Sequence, residues 1–267
     1  MTSKVTRIFI FLFPLIWMHF DCVAQQTSLS NTEKELSNIY SKAFSFIYES
    51  RDSLEYYNTL FENKMHDCIL KNPKTLNYPF QILKDSSNCF IVTSSDGLFR
   101  KYTWIDWFNS TFTRYFSEVD QYKSGKKVLT KIPVKEEDDP GTFCSKIYTI
   151  PNAGKVYYLS IDNAMYSTKD VSQSIQVYTI DHDNLVDTVK LFKTKKQLLN
   201  KIYVQFDFFS VAKKRERPVD VISYDEKQKI IYIAVVNNKD AVTDKSILYQ
   251  LKGRYFEYIG IEKGRRK

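Results

Sequence analysis

The apolar positions follow two different periods along the chain. Between residues 30 and 70, Leu36, Tyr40, Ala43, Ile47, Leu54, Tyr57, Phe61 and Met65 recur at steps of three, four or seven. That spacing draws one apolar stripe along an α-helix and leaves polar residues on the opposite face. Ser30-Asn31-Thr32-Glu33 reads as a capping box ahead of the stripe. The stretch Ser50 to Ser53 offers a break into two helices, and Asn72-Pro73 ends the pattern, because proline disfavours a helical residue before it. The stripe is expected to pack on the protein's own sheet; the alternative is a coiled-coil or partner surface.

From Tyr78 onward the period shortens to β-branched and aromatic runs separated by turns. Cys89 to Thr93 and Leu98 to Trp104 flank Ser95-Asp96-Gly97, a short hairpin signal. Further strands are expected at Lys126–Ile132, Thr142–Ile150, Lys155–Ile161, Ser174–Ile180, Leu185–Phe192, Ile202–Phe209, Val219–Tyr224, Lys229–Val236, Ser246–Leu251 and Arg254–Ile259. The connections are too short for crossover helices, so the pairing should be antiparallel. Lys155 to Leu159 with Ser174 to Tyr178 resembles Lys229 to Ile233 with Ser246 to Tyr249, and each unit turns through a polar step into a third strand. The predicted fold is therefore mainly β (α+β), built of antiparallel meanders with an N-terminal helical segment. Its architecture is either propeller-like or a sandwich or single bent sheet. The expected organisation is a leader over 1–24, a helical segment over 25–75, a β-rich domain over 76–262 and a basic tail over 263–267.

The first residues set the expected compartment. Lys4 and Arg7 precede an apolar run from Ile8 to Met18, and Cys22-Val23-Ala24 fits a signal-peptidase site. The run is too short to span a bilayer, which takes roughly 20 residues, and no later segment is apolar enough to cross. Cleavage after Ala24, with a secreted or periplasmic product, is the expectation; His19-Phe20-Asp21 ahead of Cys22 fits a lipobox poorly. Cleavage removes Lys4, Arg7 and Asp21, so the formal net charge falls by one from +8. A basic surface attracts nucleic acid, acidic glycans or anionic lipid, and export removes nucleic acid from that set. Its basic residues are scattered at Lys126-Lys127, Lys193 to Lys196, Lys213 to Arg217 and Arg265 to Lys267, as on an ordinary solvated surface. Cys68, Cys89 and Cys144 remain, an odd number with no close spacing, leaving open one bridge plus a thiol or three unpaired cysteines.

Few chemistries survive a search for motifs. The seven glycines form neither a dinucleotide-binding nor a phosphate-loop pattern. With His66 and His182 the only histidines after the leader, neither H-E-x-x-H nor a three-histidine zinc site can be built, and no G-x-S-x-G elbow presents a serine. Asp181-His182-Asp183-Asn184 lacks the further ligand and glycine of a calcium loop and reads as a hairpin turn. Asp207, embedded in Phe206-Asp207-Phe208-Phe209, is expected on a wet strand face. No metal, cofactor or catalytic residue is therefore assigned.

The one concentration of recognition chemistry is aromatic: Tyr102, Trp104, Trp107, Phe108, Phe112, Tyr115 and Phe116, with Asp106, Asn109 and Arg114 among them. Rings beside carboxylate and guanidinium groups suit a sugar, so Trp104, Asp106, Trp107 and Arg114 are the candidate ligand-binding residues. The competing reading places the rings in the core: alternation along Leu98 to Trp104 puts Leu98, Tyr102 and Trp104 there with Arg100 snorkelling from that face, and sets Phe99, Lys101 and Thr103 on the other, more polar face. Thr93 to Trp104, with Phe206-Asp207-Phe208-Phe209 and Tyr224-Asp225-Glu226-Lys227, resembles a family of secreted proteins from the Bacteroidetes phylum over most of residues 80–260. The resemblance implies export from a Gram-negative cell; that family brings no established activity or site. The expected function is a non-catalytic interaction or binding module, its partner a glycan or a cell-envelope protein. The alternative is a carbohydrate-binding protein or glycan-active enzyme using the 102–116 aromatics.

Overall fold

A computed structural model describes residues 28–86, 88–107, 113–136, 138–211 and 220–264. The expected leader, Phe108, Asn109 and Phe112, the basic run Lys213 to Arg217, and Arg265 to Lys267 lie outside the described residues. Helix α1 covers 28–45 and α2 covers Arg51–Lys71. A 3-10 turn, Pro73–Asn77, and a short α3, Gln81–Asp85, follow. The break between α1 and α2 falls at the serines: Ser50 caps α2 by accepting from the Ser53 amide. Glu33 departs from the capping-box reading. It sits in the second turn of α1, and its buried carboxylate accepts from Ile82 N (2.7 Å), Leu83 N (3.2 Å) and Tyr78 Oη (2.9 Å). The acid thus closes the start of α3, where Phe80 provides no side-chain cap. No helix among the described residues is long and apolar enough to cross a membrane.

The β region opens with β1 (Cys89–Thr93), β2 (Phe99–Asp106), β3 (Tyr115–Ser124) and β4 (Lys127–Lys131), the first sheet, in that spatial order. Asp96-Gly97 makes the β1–β2 turn, with Gly97 at φ 70°, where glycine carries no Cβ penalty. Next come β5 (Phe143–Asn152), β6 (Lys155–Met165), β7 (Asp170–Asp181), β8 (Asn184–Val186), β9 (Phe192–Lys193), β10 (Leu198–Leu199) and β11 (Lys201–Asp207). The chain ends in β12 (Ile222–Asp225), β13 (Ile230–Val236), β14 (Val242–Lys252) and β15 (Tyr255–Lys263). The second sheet runs β11-β7-β6-β5 with β8 on β7; the third runs β10-β9-β15-β14-β13-β12. All pairings are antiparallel except the two-residue contact of β15 with β9. The mainly β, antiparallel class with an N-terminal helical segment is therefore what the chain adopts.

The sheets pack in series. Leu36, Tyr40, Phe61, Met65 and Ile69 of α1 and α2 bury against Cys89, Ile91, Tyr102, Trp104 and Val119 of the first sheet. The helical stripe thus packs on the protein's own sheet. The opposite face of that sheet meets the second sheet through Phe99 and Tyr122 against Cys144, Ile147, Tyr158 and Tyr178. The far face of the second sheet, Tyr157, Leu159, Ile161, Ile175 and Val177, packs on Ile222, Ile231, Ile233, Tyr249 and Phe256 of the third. The two similar sequence units are β6–β7 and β13–β14, the central hairpins of these two facing sheets. This is face-to-face stacking, closer to a sandwich with an added layer than to a ring of blades.

Both faces of β2 are buried, and this departs from the expectation of one core face from which Arg100 snorkels and a more polar face carrying Lys101. Arg100 donates to Thr75 O and Tyr78 O at 2.6 Å each and to Thr93 Oγ1, tying the 3-10 turn to the sheet. Trp104 is 2% exposed, with Phe61 and His66 edge-on to its ring. Replacing it with alanine should cost about 3–5 kcal/mol and lower the melting temperature by roughly 6–20 °C. An unchanged melt would show that the ring does not hold the helices to the sheet.

Candidate functional site

The interface between the first and second sheets holds two unusual features, a buried charge cluster at its middle and an open cleft at one end. Lys101 on β2 is 1% exposed. Its Nζ lies 2.6 Å from Glu118, 3.5 Å from Asp162, 4.0 Å from Asp120 and 3.1 Å from Tyr178 Oη. Glu118 and Asp120 alternate on β3 and Asp162 stands across the interface on β6, so one ammonium joins both sheets. Ser160 donates to Asp162 at 2.7 Å and contacts Cys144 Sγ at 3.4 Å. Burial pulls the Lys101 ammonium down, but Asp162 and Glu118 outweigh it and hold the group well above its ordinary value. Asp120 moves up as well: burial raises it, the acids Glu118 and Asp162 add to that, and Lys101 only partly opposes them. Its Oδ1 has no hydrogen-bond partner among the described residues.

This cluster is enclosed, so its role is structural. The thiols share that character. Cys68, Cys89 and Cys144 are all free, and burial pushes Cys68 up to about 11 and Cys89 up to about 12. Neither is a thiolate at neutral pH, the form a nucleophile needs.

The cleft opens where β1, β2 and β3 of the first sheet reach the ends of β5, β6, β7 and β11. Here a β-bridge joins Arg114 to Met165, Arg114 N donating to Met165 O at 3.1 Å, and Thr113 Oγ1 donates to Tyr166 O at 2.8 Å. Gly141 lets the β5 approach pass beneath: at φ 72° a Cβ would stand 2.7 Å from Phe116 O. The cavity holds about 600 Å³, inside the range of small-molecule sites. Phe90, Phe116 and Phe143 form one wall, the Phe90 and Phe143 rings stacked at 4.1 Å. Met165, Val171, Phe206 and Phe208 form the other. Arg114 is the one ionisable side chain among the described residues that line it. Its guanidinium lies 5.6 Å from the centre of the Trp107 ring and forms no ion pair among the described residues. The Trp107 Nε1, itself buried, has no acceptor among them. Deeper in, Asn163 accepts from Gln173 Nε2 at 2.8 Å, and Gln173 in turn accepts from Val221 N and Ile222 N. That chain of bonds runs from the cleft to the third sheet.

The structure divides the four sequence candidates. Trp107 and Arg114 meet at the cleft. Trp104 points to the helices and presents no face to solvent. Asp106 accepts from Asn58 Nδ2 at 2.7 Å, on the helix side as well. Tyr102 and Phe116 are buried too. Of the remaining acids, Asp207 is half-buried rather than fully wet: its Oδ1 caps the turn at Phe208–Ser210, and Lys169 lies 3.7 Å away. The Asp181 to Asn184 turn closes the β7–β8 hairpin, as its sequence suggests. Sequence reading missed most of the lining: Phe90, Phe143, Met165 and Phe206 come from four separated strands, and nothing in their local patterns distinguishes them from core. No protein-family model matches this chain, and no curated protein matches it.

Asp120 gives the cluster a measurable signature. A carboxyl raised by folding contributes stability below its ordinary 3.8, and that contribution is lost as pH rises through the folded value. Asp120→Asn removes the ionisation and keeps the shape. Relative to wild type, the variant should therefore gain stability as pH rises from about 4 to 8, by at most about 1.4 kcal/mol per pH unit. Chemical denaturation across that range measures it. A variant that loses ground with rising pH would place the proton elsewhere in the cluster.

Proposed function

We propose that this chain is an exported, non-catalytic binding module and that the cleft between the first and second sheets is its ligand site. Export rests on the sequence: Lys4 and Arg7, the apolar run Ile8 to Met18, and Cys22-Val23-Ala24. The binding reading rests chiefly on one observation, an open cavity of about 600 Å³ walled by aromatic and aliphatic side chains and carrying one cation. General acid–base or nucleophilic chemistry needs two or more reactive groups in mutual reach. The described lining offers a guanidinium, amides and hydroxyls, groups that orient a ligand rather than transform it. The buried Lys101 cluster serves the same reading, because it fixes the two sheets whose separation shapes the cavity.

Thr168 stands exposed at the rim. A tryptophan there should close the mouth without disturbing the core. Fluorescence titration with 8-anilinonaphthalene-1-sulfonate should show one saturable site in the wild type. Thr168→Trp should weaken it at least tenfold, with the melting temperature within a few degrees of wild type. Unchanged dye binding in the folded variant would move the site away from this cleft.

A further inference from the structure

The charge pattern of the cleft narrows its ligand further; this step rests on the cleft being the binding site. We infer that the cleft takes a monoanionic amphiphile, a carboxylate on a medium-length hydrocarbon or aryl tail. The head is held by Arg114 and the tail lies between the Phe90–Phe116–Phe143 wall and the Met165–Phe206–Phe208 wall.

Three observations carry this. First, the Arg114 guanidinium lines the cavity and forms no ion pair among the described residues, whereas the amides of the lining are already bonded: Asn163 bonds Phe143 O, Ser145 Oγ and Gln173, and Asn88 bonds Ser86 O. A guanidinium fork matches a carboxylate with two parallel hydrogen bonds. Second, the one charged group in the described lining is a cation that can only donate, so the complementary chemistry is an anionic acceptor. Third, apart from Asn88, Asn163, Thr168 and Ser172 the rest of the described lining is apolar, and over those walls a sugar's hydroxyls would go without hydrogen bonds while a hydrocarbon would be buried favourably. A dianion or a polyanion fits less well, because one guanidinium would leave the second charge in an apolar wall.

Isothermal titration with decanoate below its micellar concentration, decan-1-ol and decyltrimethylammonium tests the inference on the full exported chain. Decanoate should bind at least tenfold more tightly than decanol, and decyltrimethylammonium should not bind measurably. Arg114→Gln should weaken decanoate about tenfold and leave decanol unchanged, and Arg114→Lys should recover part of the loss. The Arg114 backbone, not its side chain, bridges the sheets, so the variants should melt with the wild type. Equal affinity for decanoate and decanol, or an Arg114→Gln variant that binds decanoate as wild type does, would overturn the assignment of the head group while leaving the cleft as an apolar site. If none of these amphiphiles nor the dye binds, the reading of the cleft itself fails. Competition of maltotetraose for the dye would overturn the inference in favour of a glycan.

Discussion

A lysine ammonium sealed between two β-sheets constrains most of what surrounds it. Moving such a charge out of water is expensive, and the cost is recovered only when opposite charges and hydrogen bonds surround it closely. Glu118, Asp120, Asp162 and Tyr178 do this for Lys101 from three strands of two sheets. Each partner has to arrive at a fixed place: a slip of one residue along β3 would turn Glu118 and Asp120 to the helix face and leave the lysine unpaired. A buried cluster of this kind adds little net stability over apolar packing, but losing one partner costs about 3–5 kcal/mol. Its effect is to select one register and one sheet spacing.

That selection explains the layering on either side. With Lys101, Phe99 and Tyr122 committed to the second sheet, the other face of the first sheet must be covered by something else. Tyr102, Trp104 and Val119 receive the helical stripe there. The second sheet is in the same position, buried by the first sheet on one face and by the third on the other. Only where the paired strands run out does the packing between the first two sheets open. The side chains that would have filled the gap become the walls of a cleft, with Arg114 at the point where the sheets touch.

Elements with a local cause were legible in the sequence. The helical stripe, its break at Ser50 to Ser53, the Asp96-Gly97 hairpin and the antiparallel pairing depend on neighbours within a few residues. The similarity of β6–β7 to β13–β14 was legible as a repeat, though not as two sheets that pack on each other. What misled was the assumption that a strand has one dry face. Alternation along Leu98 to Trp104 placed Trp104 in the core, yet it set Lys101 and Thr103 on the more polar face, and they are buried in the next interface. Glu33 showed the same blindness to distance: its spacing from Ser30 suggested a cap for its own helix, and it caps one about fifty residues away. The cleft was half legible. Trp107 and Arg114 stood out by composition, whereas Phe143, Met165 and Phe206 reach the site only through the stacking of the sheets.

On the proposed reading, ligand enters between the first two sheets at the Arg114–Met165 end. Methyl chemical shifts report this residue by residue, since Ile105, Ala164, Met165 and Val171 line the cleft while Leu36, Met65 and Ile69 lie under the helices and Ile231 and Ile233 lie against the third sheet. Titrating decanoate into methyl-labelled protein should move the first group in a saturable way and leave the other two in place. Saturable shifts confined to the helix face or the third sheet, with Ala164 and Met165 unmoved, would contradict the account.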